Sequence, residues 1–257
     1  MIDSKKSYEK EFWDKCAFHS RLIWSCFNPS FDAKILPDSY VLVGGCGAFP
    51  ILENSPAKEV INTDISRESL KEFKSHSRSP SLVVADIENL PFRGESFDFV
   101  ICTQILHHVK LSAALSQLHF VLRKNMFLIT VDINKNNVAG ALLRSGYLAL
   151  SKILSREVLP IRNSNEHPLE IAKLYSEMRT SGFGKMSFNA FLLFSPVVIF
   201  PFLSFFPKAE KRSFVREFIR ALLTIDEKIS KLNFMRSIGY SIVCVARKKE
   251  TIDPEVS

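Results

Sequence analysis

The stretch 41–50, VLVGGCGAFP, closes an apolar run with Gly44, Gly45 and Gly47. Glycine tolerates positive φ and lets another group approach the main chain, so this stretch suits a backbone surface laid against a ligand. Carboxylates close the next two apolar runs: Asp64 in VINTDIS and Asp86 in LVVADIENLPF. Asp64 follows Gly45 by about 20 residues, the spacing at which an acid at the end of a second strand accepts hydrogen bonds from ribose hydroxyls. Either aspartate alone would also suit a helix N-cap. Bare backbone, acid and acid at three successive run-ends make a pattern suited to holding a nucleoside. His107 and His108 follow the fourth run, FDFVICTQILHHV, and can exchange a proton near neutral pH.

These groups meet only if the runs are neighbouring strands that end on one edge. The runs are Tyr40–Val43, Val60–Thr63, Leu82–Ala85, Phe97–Cys102, Met126–Val131 and Tyr240–Ala246, with a further strand expected in GFGKMSFNAFLLF. Between them lie AFPILENS, SRESLKEFKSHS and KLSAALSQLHFVLRKN, which have helical character. Strands alternating with helices imply βαβ units and a parallel sheet covered on both faces. Ligands of such sheets bind beyond the carboxyl ends of the strands, where strand order reverses. Pro50 fits the first turn of a helix after the glycines, whose free N–H groups would face the ligand.

Several alternatives are disfavoured. Pro50 stands where a dinucleotide fingerprint places its third glycine, which argues against an oxidoreductase, and no G-x-x-x-x-G-K-[ST] loop is present. The net charge of +7 favours anionic partners, but no dense basic block with interleaved aromatics points to nucleic acid. The five cysteines are odd in number and have no C-x-x-C spacing, which argues against a disulfide framework or a zinc site. The segment MIDSKKSYEKEFWDK lacks the apolar core of a secretory signal, so a cytoplasmic protein is expected.

VLVGGCGAFP, INTDIS, VVADIENLPFRGESFDFVICTQILHHV and LHFVLRKNMFLITVD together resemble the class I S-adenosylmethionine-dependent methyltransferases over about residues 38–133. The resemblance implies a Rossmann-like, doubly wound α/β fold with a seven-stranded, mostly parallel sheet whose last strand is antiparallel. It implies S-adenosyl-L-methionine as cofactor. Gly45, Cys46 and Gly47 would pass under its methionine and sugar, Asp64 would hold the ribose with Ile65 beside the adenine, and Asp86 would accept from the adenine amino group with Ile87 against the ring. Thr103 and Gln104 would line the pocket. Of the two histidines His108 is the candidate base, although the pair also suits packing at the next helix start. The chain departs from the family pattern at Val43 (usually an acid), at Phe49 (usually glycine) and at Lys124-Asn125 (usually a PGG turn). These departures keep a non-catalytic nucleoside- or lipid-binding protein as the alternative.

Outside the resemblance, residues 1–36 are expected to form a helical lid, 37–250 the main domain, about 195–236 an apolar and helical insertion between the sixth and seventh strands, and 251–257 a frayed tail. FLLFSPVVIFPFLSFF, at 191–206, is shorter than the ~20 residues that cross a bilayer and carries Pro196 and Pro201. It precedes a basic amphipathic stretch at about 209–232. The insertion fits two roles, packing on the sheet or peripheral contact with an anionic membrane, and accordingly the acceptor is expected to be a small molecule or lipid-like.

Overall fold

A computed structural model describes residues 35–48, 50–77, 81–137, 167–191, 212–230 and 238–249, with single positions at 141, 199, 202, 206 and 209. The lid assigned to 1–36 and the tail at 251–257 lie almost wholly outside these residues. The strands are β1 (Tyr40–Gly44), β2 (Glu59–Asp64), β3 (Ser81–Val84), β4 (Phe97–Thr103), β5 (Leu122–Ile133), β6 (Phe183–Phe191) and β7 (Ser241–Lys248). They form one seven-stranded sheet in the order β3-β2-β1-β4-β5-β7-β6. β1 to β5 pair in parallel, and β7 is antiparallel to both β5 and β6. The helices among the described residues are α1 (Arg67–His76), α2 (Leu111–Val121), α3 (Ile171–Thr180) and α4 (Ser213–Ser230).

Alternation along the central strands sends side chains to two apolar layers. Leu42, Val100, Cys102 and Leu128 pack with Leu115 and Leu118 of α2 and Leu174 and Met178 of α3. Val41, Val43, Phe99, Ile101 and Ile129 pack with Leu70 and Phe73 of α1. A sheet buried on both faces explains why these runs are almost continuously apolar. Ser66 starts α1 by accepting the Ser69 N–H on its hydroxyl at 3.0 Å. Asn125, where the family pattern has glycine, takes a φ of 64° at the start of the apolar half of β5.

One expectation fails. AFPILENS is not a helix: the described residues between β1 and β2 form turns. Pro50 and Pro56 each remove a backbone donor and bias the preceding residue away from helical angles. Hence no helix start after Pro50 aims N–H groups at a ligand. Leu52 is buried and fastens this connection to the layer under β1.

The far end of the sheet is held by an internal cation. Lys248, the last residue of β7, is buried, and its Nζ donates to the carbonyls of His119 at 2.9 Å and Leu122 at 2.7 Å, with Glu95 Oε1 at 3.5 Å. These carbonyls lie at the C-terminus of α2, where a positive charge is favourable. Burial lowers the Lys248 pKa and Glu95 opposes that shift. Lys248→Met should cost about 2–3 kcal/mol, since charge-assisted bonds are lost and two carbonyls are left unpaired. Urea denaturation with an unchanged midpoint would refute this role.

Candidate functional site

The carboxyl ends of β1, β2 and β4 lie side by side. Gly44 stands opposite Thr63 on one side and Cys102 on the other, and Asp64 stands opposite Val84 of β3. Bonds beyond the ladders fasten the loops to this edge. Cys46 N–H donates to Thr63 O at 2.9 Å, Ala85 N–H to Asp64 O at 3.0 Å, and Gln104 N–H to Val131 O at 2.7 Å. Asp64, Asp86, Thr103 and the glycine turn therefore share one rim.

Gly45 and Gly47 both take left-handed angles, with φ of 66° and 57°, but they are bare for different reasons. A Cβ on Gly45 would lie 2.4 Å from Cδ1 and 2.9 Å from Cβ of Ile105. The space beside Gly45 is thus filled by the chain itself. A Cβ on Gly47 would meet no atom within 4 Å, so the turn is open there. Cys46 is buried between them, and burial raises its thiol pKa well above the usual range.

Asp64 ends β2 with its carboxylate at this opening. Oδ2 accepts the Gly47 N–H at 2.8 Å and Oδ1 the Ser66 N–H at 2.9 Å. The half-buried Ile65 follows it. Asp86 lies two residues beyond β3, and its Oδ1 accepts the Glu88 N–H at 2.9 Å. Ile87 turns inward, and its Cδ1 would lie 2.8 Å from a Cβ on Gly44. Thr103 is the buried last residue of β4. Gln104 adopts a φ of 56° and reaches Ser241 Oγ with Nε2 at 3.4 Å. A non-glycine residue in that region costs energy and is commonly kept where its direction matters. Val43, at the family's acidic position, is wholly buried in the apolar layer on the α1 side.

His107 and His108 lie in the turn after β4, both buried, with ring centroids 4.0 Å apart. The carboxylate that the structure brings to them is Asp132 of β5. Its Oδ1 lies 2.7 Å from His107 Nδ1 and accepts the His107 main-chain N–H at 3.2 Å. Asp132 is fully buried, and its Oδ2 has no hydrogen-bond partner among the described residues. Burial pushes its carboxyl up to about 8, against the His107 main-chain N–H and the neighbouring His108, which both pull it down. Asp132 was not among the residues singled out from the sequence. The available signal was an acid inside the apolar run LITVDIN, at the end of the fifth strand. Among the described residues no group of three or more His, Cys, Asp or Glu could hold a metal ion.

Residues 42–130 match the family model described as a methyltransferase domain. An uncharacterised protein of Methanocaldococcus jannaschii is 35% identical over 101 residues, which cover 39% of this chain and 44% of that protein. The mitochondrial arginine-hydroxylase NDUFAF5 of Danio rerio is 39% identical over 84 residues, 31% of this chain and 26% of that protein. The chain thus spans less than half the length of either relative. Among solved structures, Haemonchus contortus phosphoethanolamine N-methyltransferase 2, in complex with phosphomonomethylethanolamine and S-adenosylhomocysteine, superposes with a TM-score of 0.60 at 12% identity, covering 97% of this chain and 61% of that one. The sheet order and the family match agree: residues 42–130 match a methyltransferase domain, and the described sheet has the Rossmann-like fold of the class I S-adenosylmethionine-dependent methyltransferases.

Proposed function

We propose that the chain is an S-adenosylmethionine-dependent methyltransferase acting on a small-molecule or lipid-linked acceptor, with oxygen the favoured acceptor atom. The observation that carries this reading is the shared rim: Gly47 open to the outside, with Asp64 bonded to it and Asp86 on the next strand end. These residues fit an adenosyl group, since bare backbone admits its sugar and carboxylates accept from hydroxyl and amino groups. S-adenosylmethionine, when bound, supplies a methyl group on a sulfonium for in-line displacement by the acceptor.

The roles follow from position. Gly45, Cys46 and Gly47 form the floor, Asp64 takes the ribose hydroxyls with Ile65 beside it, and Asp86 and Ile87 take the adenine. Thr103 and Gln104 border the acceptor side. Holding the reacting groups in line can supply roughly 7–11 kcal/mol, so a strong base is needed only for a poor nucleophile such as a hydroxyl. The base then comes from the histidine pair. His108 is the candidate from the sequence, and Asp132 positions its neighbour His107 through Nδ1. With the Nδ1–H turned to Asp132, Nε2 is the basic nitrogen of a neutral His107 ring. A lipid-linked acceptor would bring the chain to an anionic membrane as a peripheral protein.

Asp64→Ala should weaken S-adenosylhomocysteine binding about ten- to a hundredfold, the worth of lost charge-assisted hydrogen bonds. Unchanged affinity by calorimetry would remove Asp64 from the ribose role. Asp132 yields a second expectation, on stability. Its folded pKa of about 8 lies above the ordinary ~3.9 of an aspartate. Between these values the folded state keeps a proton that the unfolded state releases. Asp132 therefore makes stability fall as pH rises from about 4 to 8, and its full cost is present above 8. Asp132→Asn keeps an acceptor for His107 and should flatten that fall. Denaturation profiles of the two proteins that run parallel from pH 5 to 8 would exclude it.

A further inference from the structure

α4 has three faces. Val215 and Ile219 are buried against Ile199, with Ala209, Leu222 and Leu223 beside them, and this face secures the helix to the protein. A second stripe, Phe214, Phe218, Ala221 and Ile225, recurs in steps of four, three and four residues and is exposed. Phe214 is 65% exposed, Phe218 63% and Ile225 52%. Phe202 and Phe206, with ring centroids 5.6 Å apart, expose 41% and 60% of their surface in the same insertion. The third face is basic: Arg212, Arg216, Arg220 and Lys228 are all exposed, with Glu217 paired to Arg220 at 3.5 Å.

A stripe of exposed phenylalanines is costly in water, and core packing does not explain it because the core face is a separate one. Its chemistry matches an interfacial helix, with aromatic and aliphatic side chains on one edge, Lys228 beside them and Arg220 and Arg216 farther round the exposed side. Long basic side chains can reach lipid phosphates while the apolar edge enters the acyl boundary. No helix among the described residues is long and apolar enough to cross a membrane, so the fit is to a surface. The topology sets where that surface lies. β6 and β5 both run antiparallel to β7, and Ile133, Ser241 and Phe191 stand in one register. The insertion thus leaves and rejoins the sheet at the edge that carries Asp64 and Gly47, and α4 contacts β6.

We infer that the Phe214–Phe218–Ile225 edge of α4, with Lys228 beside it and Arg220 farther round the exposed side, docks the chain on an anionic lipid bilayer. The docking stands without the methyl-transfer reading; its purpose, bringing a lipid-linked acceptor to the rim, rests on that reading. The test is co-sedimentation of the full chain with phosphatidylcholine vesicles with and without phosphatidylserine, alongside calorimetry with S-adenosylhomocysteine. Pelleting is expected with the anionic vesicles and should decline as salt rises. Phe214→Ser with Phe218→Ser should lower the partition about tenfold or more while cofactor affinity holds. Arg220→Ala with Lys228→Ala should reduce the preference for anionic vesicles. A wild-type chain that stays in solution overturns the docking, as does pelleting that the serine substitutions leave unchanged. A dimer seen by light scattering and dissolved by the same substitutions would give the stripe to a second copy and overturn it too. Vesicle binding without S-adenosylhomocysteine binding would sink the methyl-transfer reading and leave the docking intact.

Discussion

The hydrogen bond from the Gly47 N–H to Asp64 Oδ2, at 2.8 Å, joins the turn after β1 to the end of β2. Much of the rim depends on it. Gly47 reaches the carboxylate with a left-handed φ of 57°, which a side chain would oppose. Cys46 donates to Thr63 just before it, so two consecutive main-chain donors of the turn are spent on β2. The opening above Gly47 is thereby fixed relative to Asp64, and Asp86 follows because β3 lies in register beside β2. With no helix after β1 to orient the loop, this stitching does the positioning that a helix start would otherwise provide.

A second constraint acts from the other half of the sheet. Asp132 is buried at the end of β5, and its contacts with His107 hold the turn after β4 against the next strand. A carboxyl group in that position carries a desolvation cost. Its raised pKa shows that the hydrogen bonds it accepts do not fully offset that cost. Gln104, just before the turn, is held in a left-handed conformation with its main chain on Val131 and its side chain on Ser241. The Gln104 side of the rim is thus tied to β5 and β7, and the Gly47 side to β2. β1 and β4 run between the two halves, buried on both faces.

Much of this was legible in the residues. Six of the seven strands overlap an apolar run, because a sheet covered on both faces favours continuous apolar sequence whatever the details of its helices, and β6 is the more polar exception. The ends of β1, β2 and β4 were legible for the same reason, since polar or glycine residues stop the runs there. What could not be read depended on contacts between distant segments. AFPILENS has helical composition, yet Pro50 within it, Pro56 just after it and the short span to β2 leave only turns among the described residues. Gly45 is also required by Ile105, far along the chain, which a Cβ there would strike. The pairing of His107 with Asp132 depends on β4 and β5 being neighbours in register, which no local pattern announces. The left-handed angle at Asn125, where the family pattern is broken, was not legible either, although asparagine tolerates it better than most residues.

The antiparallel last strand decides where variation can enter. A connection from β6 to β7 in this sheet need only reverse direction, and a short hairpin would suffice. Here it spans 192–240 instead, and β6 delivers it to the carboxyl edge rather than to the opposite one. Any extra structure inserted there must stand over or beside the rim. The buried face of α4 anchors it through Val215 and Ile219, which leaves the phenylalanine edge free of any packing duty. The insertion and the turn after β4 thus meet at the carboxyl edge of the sheet, beside the rim formed by the ends of β1, β2 and β3.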